Sequence, residues 1–587
     1  MREEALLLTR DGSPLESGNL AKVLHFFGVP WRAMTVAEFL SYDSINHESS
    51  ASIRVFCSSE TFLGLAAALK RNGQGMPRWQ EHVHSVFVYA GDDPGVLRNL
   101  VRILTGEDAA VVGRLNRDAG DFVVSDEFNE FCGVMAGVRV AASRENADPT
   151  LFLNAFKGNA INIISVNDGA AFLKLEYGKV PVFLSTSKII DIDTELKTGI
   201  FDIRDHVLPA LPLVLYIKWA FAETCWSPVD TNACLIIDDP LLKPTYGFVD
   251  FHELLSLMRR HSFSTNIAFI PWNWRRSTPE VARLFRENPE RYSISVHGCD
   301  HTRAEFGTPD RQRLYWKAKQ AVERMTHHES STGIRHDRVI VFPQGVFSET
   351  AMGVLKHTNL IAAVNNDIIS ADPYPRAITV SDVWDVAVMG YNFPLFTRRY
   401  PWERIENFAF DILLGKPCIA VIHHDFCRDR YAHLLEFIKQ LNALNDGLLW
   451  RSLGDVVRHS CRQRELSAGV MEVEMYGSEL RVENRSEQRK RLIIRRRDAD
   501  PSAIKGVRAG PRQVAWNFSE GRIVFEIELN PGESTTVSVK FHDLLGNGQS
   551  REGVSYKVKT MLRRYLCEVR DNYVTTTKSR LADFVSR

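Results

Sequence analysis

The sequence predicts a multidomain α/β protein: a central complete or partial β/α barrel, preceded by an α/β domain and followed by a small antiparallel β-sandwich. Three observations predict it. Between residues 234 and 428 six apolar runs (ACLIIDDP, FSTNIAFIP, YSISVHG, RVIVFPQG, LIAAVNND and KPCIAVIHHD) each end in polar, Gly or Pro residues, with helix-length segments between most of them. In the first 230 residues short β-rich runs alternate with amphipathic stretches such as 61–71 and 93–104, the pattern of a mostly parallel sheet. After about residue 467 the runs VMEVEMY, SELRVENRS, KRLIIRRR, GRIVFEIEL and STTVSVKF alternate and are bounded by turn residues, as sandwich strands are.

The chain has 587 residues, too many for one hydrophobic core. We divide it into an α/β domain over 1–230, the central domain over 231–464, the sandwich over 465–545 and a helical tail over 546–587. Candidate strands of the first domain are 5–8, 52–57, 85–89, 110–112, 138–142, 161–166 and 180–184. Its general look is flavodoxin- or amidotransferase-like, and the turn Val166-Asn167-Asp168-Gly169 suits a loop at a strand's carboxyl end. It holds no G-x-G-x-x-G or Walker A sequence, so no nucleotide or other organic cofactor is expected. The most apolar segment, 207–222, carries Pro209, Pro212 and Lys218 and is shorter than the roughly 20 residues a membrane span needs. It reads as a buried helix. The tail has helical spacing over 556–585 and many basic residues, but Glu568, Asp571 and Asp583 interrupt the positive face, which favours packing on the body over a membrane surface.

Lys+Arg and Asp+Glu are 72 each, so no overall field attracts nucleic acid or an anionic membrane. The N-terminus MREEALLLTRDGSPLE lacks an apolar export region, and nine scattered cysteines show no zinc-ribbon spacing. Free thiols in a cytoplasmic protein without an integral membrane segment are the expectation.

Two elements carry the chemistry. Ile236-Ile237-Asp238-Asp239-Pro240 ends an apolar strand in two carboxylates, which a metal ion can reconcile by binding one and leaving the other as a base. Ser295-Val296-His297-Gly298-Cys299-Asp300-His301 ends another strand in two histidines four apart, which share a face if the chain turns helically. One carboxylate and two imidazoles leave a divalent ion an open position for water. Asp300 is a candidate to orient a ligand histidine or to cap the next segment, while His261, His327 and His328 read as solvated. Trp272, Trp274, Arg275 and Arg276 follow a strand and offer aromatic faces and forked donors suited to a sugar, with core packing of one Trp as the rival.

LIIDD, HGCDH and IAVIHHD, in this order over about a third of the chain, resemble the first, second and fifth motifs of the NodB-homology polysaccharide deacetylases (carbohydrate esterase family four). The resemblance implies a barrel of that type in which Asp238 is the general base, Asp239, His297 and His301 hold a metal ion, most readily zinc, and His423 or His424 is the general acid. The pattern Leu-x-His-Asp points to His424, whereas strand alternation puts His423 on the face of Ile419 and Val421; both stay open. The third motif's arginine is missing from Val341-Phe342-Pro343-Gln344-Gly345, with Arg398, Arg399 or Arg303 as possible replacements. The fourth has no clear counterpart, although Asp367 and Asp372 follow the next strand. The function expected is hydrolytic removal of an N-acyl group, acetyl first, from a carbohydrate or small N-acylated metabolite in the cytoplasm. The alternatives are a hydrolase of another C–N amide-like bond and a catalytically impaired carbohydrate- or partner-binding scaffold.

Overall fold

The computed structural model describes residues 4–10, 14–41, 53–71, 81–91, 93–106, 111–114, 120–141, 151–154, 160–167, 169–543 and 553–576. Strand-candidate residues 52, 110 and 142, Asp168 of the predicted loop, and tail residues 577–585 lie outside them. The chain forms two compact units, Met1–Thr194 with Phe201–Ser227, and Glu195–Ile200 with Pro228–Arg587.

In the first unit Trp31–Thr35, Ala5–Thr9, Ile53–Ser58, Val83–Tyr89 and Val180–Ser185 lie side by side in parallel. From Val180–Ser185 onward the sheet turns antiparallel, through Gly169–Tyr177, Ile161–Val166, Phe122–Val124 and Arg139–Val140. Val166 pairs antiparallel with Gly169, so the strands on either side of the predicted loop belong to the antiparallel half of the sheet. Apolar side chains of Val55, Phe62, Leu65, Val86, Leu97, Leu173 and Val182 pack into the core on one side of this sheet. The apolar segment forms the buried helix Val207–Ala220, and no helix among the described residues is long and apolar enough to cross a membrane.

The second unit is built on seven parallel strands: Leu395–Thr397, Ala362–Asn365, His336–Val341, Tyr292–His297, Thr265–Phe269, Asn232–Asp238 and Cys418–His423, in that lateral order. All seven residues of Asn232–Asp238 are buried, as befits a strand covered on both faces. The sheet closes on itself just past its shortest strand. Arg399 N–H donates to the Ile419 carbonyl and Val421 N–H to the Arg399 carbonyl, each at 2.9 Å. Cys234, Ile236, Ala268, Val339, Val341, Ile419 and Val421 fill the interior. Period-2 alternation carries that inward face on to Asp238 and His423, which therefore stand at the barrel's carboxyl end.

The sandwich follows. One sheet runs through Cys461–Ser467, Val470–Met475, Lys490–Arg497, Arg522–Leu529 and Trp516–Ser519, the other through Glu479–Glu483, Ser534–Phe541, Ile504–Ala509 and Arg512–Val514. Their apolar faces share one core. Every pairing is antiparallel except that of Val470–Met475 with Lys490–Arg497, which is parallel. The tail forms a helix, Val554–Val569, continued by a wider turn, Arg570–Thr575.

Candidate metal centre

The barrel strands end where their backbone stops being able to pair, and two of the three candidate ligands sit at such breaks. Asp239 has φ 82° and His301 φ 54°, a left-handed backbone that costs a non-glycine residue free energy and persists where surrounding structure imposes it. For His301 the imposing group is Glu305. Its buried carboxylate accepts the backbone N–H of Cys299, Asp300 and His301 at 2.8, 3.0 and 3.0 Å. Gly298, at φ 60°, lets that carboxylate and Pro343 approach; a Cβ there would lie 2.2 Å from Glu305 Oε1. A carboxylate four residues after the second histidine is the signal that would have pointed to this loop.

The result is convergence. Single ligand atoms of Asp239, His297 and His301 all lie within 4.8 Å of one another. Nε2 of His301 is 3.0 Å and Nε2 of His297 3.4 Å from Asp239 Oδ1. Nδ1–H of His297 donates to the Val341 carbonyl at 3.1 Å, which leaves its Nε2 lone pair facing the carboxylate. Asp239 Oδ1 is buried without a hydrogen-bond donor. Burial pushes the Asp239 carboxyl up, but the imidazoles of His301 and His297 outweigh it and hold the group well below the usual carboxylate range. An orphaned buried oxygen facing two imidazole nitrogens is a donor set that fits a divalent cation.

Asp238 faces the same cavity but is held differently. The Arg398 guanidinium grips it in a two-pronged pair, Nη1 to Oδ1 and Nη2 to Oδ2 at 2.8 Å each, and Nε–H of Arg398 donates to Asn366 Oδ1 at 2.8 Å. Both partners are almost fully buried. Burial raises the Asp238 carboxyl and the charges of Arg398 and His297 more than reverse it, so it lies below the ordinary range. Of the arginines considered as a replacement, Arg399 instead binds Asp411 and Glu403, and Arg303 is exposed.

His423 lines the cavity with Asp238, Asp239, His297 and His301. His424 is buried behind it, between Tyr246 and Phe248, with Nε2 3.7 Å from Asp571 Oδ1. Gly247, at φ 57°, makes room for that ring, since a Cβ there would stand 2.3 Å from Nδ1. Asp571 comes from the turn after the C-terminal helix and also accepts the Tyr246 hydroxyl at 2.8 Å. Burial raises the Asp571 carboxyl, but the nearby His424, with Arg570 and the Tyr246 hydroxyl, brings it down to about 2. Asp367 lines the cavity too, its Oδ1 accepting Ile369 N–H at 2.9 Å, whereas Asp372 accepts the N–H of Glu349 at the start of a helix.

Several expected residues are placed elsewhere. Trp272, Trp274, Arg275 and Arg276 do not line this cavity; Trp272 and Arg276 instead hold the C-terminal helix. Arg276 and Lys243 both bind Glu568, Arg276 lies 4.3 Å over the Tyr565 ring, and Trp272 meets Tyr565 edge-on. Arg275 stacks on Trp274, which faces His327. Asp300 orients neither histidine. Its carboxylate is buried against Lys317, Arg324 and the Tyr556 hydroxyl. His328 is fully buried and not solvated, its ring against Phe269 and its Nε2 2.8 Å from the Ser277 hydroxyl.

No protein-family model matches the chain, and no curated protein matches it. Among solved structures it is similar to Agd3, described as a novel carbohydrate deacetylase, at 9% identity and a TM-score of 0.47 over 92% of this chain and 98% of that one. It is similar to the peptidoglycan deacetylase PdaC from Bacillus subtilis at 14% identity and a TM-score of 0.24, over 39% of this chain and 91% of that one. A family 4 acetyl xylan esterase from Clostridium thermocellum in complex with cobalt matches at 12% identity and a TM-score of 0.25, over 38% and 90% of the two chains.

Proposed function

We propose that this chain is a metal-dependent hydrolase that removes an N-acyl group, acetyl first among them, from an amino sugar or glycan precursor. The observation that carries the reading is the orphaned Asp239 Oδ1 facing the Nε2 atoms of His297 and His301, next to a second carboxylate, Asp238, that an arginine fork keeps from sharing the same partners. Asp239, His297 and His301 would hold the ion. Two nitrogens and one oxygen suit zinc, with other first-row ions as rivals. Bound there, a divalent ion supplies Lewis-acid polarisation of a carbonyl and lowers the pKa of water.

The residues around it divide the remaining work. Asp238 takes a proton on a carboxylate oxygen, and Arg398 fixes the plane in which that oxygen points. His423, the register partner of Asp238 on the neighbouring strand and on the same inward face, gives a proton to the departing nitrogen. His424 keeps its place against Asp571 and holds the strand end. The cavity measures about 430 Å³, within the ~300–1,000 Å³ of small-molecule sites. A cytoplasmic setting is part of the proposal, supported by nine cysteines that form no disulfide, eight of them buried.

Acetate release from N-acetylglucosamine oligomers by the zinc-loaded full chain tests this reading. Asp238→Asn and His423→Ala should each lower kcat by about 10²–10⁴-fold while keeping one ion per chain. Acetate release at the wild-type rate by Asp238→Asn would remove the base from the scheme. An unchanged rate in His423→Ala, with loss in His424→Ala, would reassign the acid.

A further inference from the structure

Four carboxylates (Asp238, Asp239, Asp367 and Asp571) and four guanidiniums (Arg398, Arg563, Arg564 and Arg570) line the metal cavity, but they are not paired one to one. Asp238 is matched by Arg398, Asp571 by Arg570, His424 and Tyr246, and Asp239 by the two imidazoles and the ion they are suited to hold. Two more guanidiniums face the same space from the C-terminal helix, those of Arg563 and Arg564. Neither has an ion-pair partner among the described residues. Arg564 is 7% exposed, and its Nε–H is buried with no acceptor. A buried guanidinium donor left without an acceptor is destabilising, and more so than a neutral donor. Such a group is retained where something else supplies the acceptor. Asp367 is the one remaining carboxylate of the lining, and its Oδ1 is engaged by Ile369 N–H.

From these positions we infer that Arg563 and Arg564 form an anion subsite of the metal cavity, and that the substrate carries a carboxylate or phosphate on or next to the N-acylated sugar. The inference rests on the hydrolase reading above and adds the charge of the substrate to it. A planar guanidinium presents parallel N–H donors that match both anions, and adjacent arginines on one helix present two such forks. In a cavity this size the anionic group and the acyl amide belong to the same residue of the substrate or to neighbouring ones. The helix that brings the arginines is held by Glu568 on Lys243 and Arg276, by Tyr556 on Asp300 and, just beyond it, by Asp571 on Tyr246.

The zinc-loaded full chain is assayed with three probes: N-acetylglucosamine oligomers, N-acetylglucosamine 1-phosphate, and a glucuronate–N-acetylglucosamine disaccharide. An anionic probe should be deacetylated with kcat/KM at least tenfold above that of the neutral one, and the better of the two anions names the source of the charge. The Arg563→Gln/Arg564→Gln variant should bring the anionic-to-neutral ratio close to one, chiefly through KM for the anionic probe. Arg564→Lys, which keeps the charge and loses the fork, serves if the double variant does not fold, and should lower the ratio in part. Equal kcat/KM for all three probes, or a ratio untouched in the variants, overturns the inference. Calorimetric titration with the sugar phosphate and with the disaccharide separates it from the hydrolase reading. If no probe is turned over, binding weakened at least tenfold in the variant still supports the subsite, and binding unchanged in the variant sinks it.

Discussion

Arg398 stands one residue before the bridge that closes the barrel, and this position turns its fork onto Asp238. Sequence reasoning reached it only as one of three arginines. Its partner lies 160 residues away, and strand pairing at that distance leaves no local pattern. Arg398→Lys should keep the ion and lower kcat by about 100-fold, the scale of a small misplacement of a catalytic group, as steady-state kinetics alongside metal analysis would show. Arg398→Gln leaves a buried carboxylate unpaired and should cost about 3–5 kcal/mol of stability in denaturant titration. Asp238-Asp239, His297-x-x-x-His301 and His423-His424 were legible because each set is contiguous at a strand end. Glu305 was passed over although it lies four residues after His301, and Asp571 was not legible, since it acts on Tyr246 some 325 residues away. His328 was misread because its flanking sequence is polar, while its own face of the helix meets Phe269. Burial, with a smaller push from His336, takes its imidazole from the usual 6.5 down to about 4. The folded form therefore excludes a proton that the unfolded chain takes up. Stability from this group is complete above pH 6.5 and falls between pH 6.5 and 4, by about 3 kcal/mol in all. His328→Gln should flatten that part of the stability–pH curve relative to wild type.

The C-terminal helix is the element on which the cavity's outer wall depends. Helical spacing of Met561, Leu562, Tyr565, Leu566 and Val569 predicted the helix, but these apolar residues are 42–67% exposed, and the residues it buries are Thr560 and Arg564. Nothing in that spacing reports that its polar side carries Glu568, Asp571 and two arginines to a barrel mouth some 325 residues earlier in the chain. Glu568→Gln removes the charge shared by Lys243 and Arg276. Amide hydrogen exchange over 554–576 should then quicken by about tenfold or more while the barrel strands stay protected. Equal protection in wild type and variant would mean that this charge does not hold the helix. Gly247→Ala attacks the same junction from the barrel side, forcing a Cβ into a left-handed position against His424. It should destabilise by about 1–3 kcal/mol, read as a lower denaturation midpoint. The strands of the first unit show the other limit of local patterns. Alternation of apolar runs marked most of them but is silent on direction, so the antiparallel half of that sheet was not foreseen. Trp31–Thr35 was missed because none of its residues is buried, which leaves an edge strand no hydrophobic signature.

At the scale of the whole molecule, the barrel architecture was legible because six βα runs repeat one pattern, and closure by a single backbone bridge was not. The second unit brings together a strand-end carboxylate and a loop of two histidines, with an arginine from the closing segment beside them, and that assembly is worth what its ion can add. A ligand that binds only the folded state raises stability by about 2.7 kcal/mol at a hundred times its dissociation constant. Zinc should therefore raise the melting temperature of the wild type, and a chelator should reverse it, with neither effect in Asp239→Asn. The measurement that bears most directly on the centre is anomalous diffraction at the zinc edge from crystals of the full chain. One peak is predicted, about 2.0–2.2 Å from an Asp239 carboxylate oxygen and from Nε2 of both His297 and His301, with Asp238 still gripped by Arg398. A peak coordinated by other residues, or the three side chains pointing apart around empty density in zinc-soaked crystals, would contradict it.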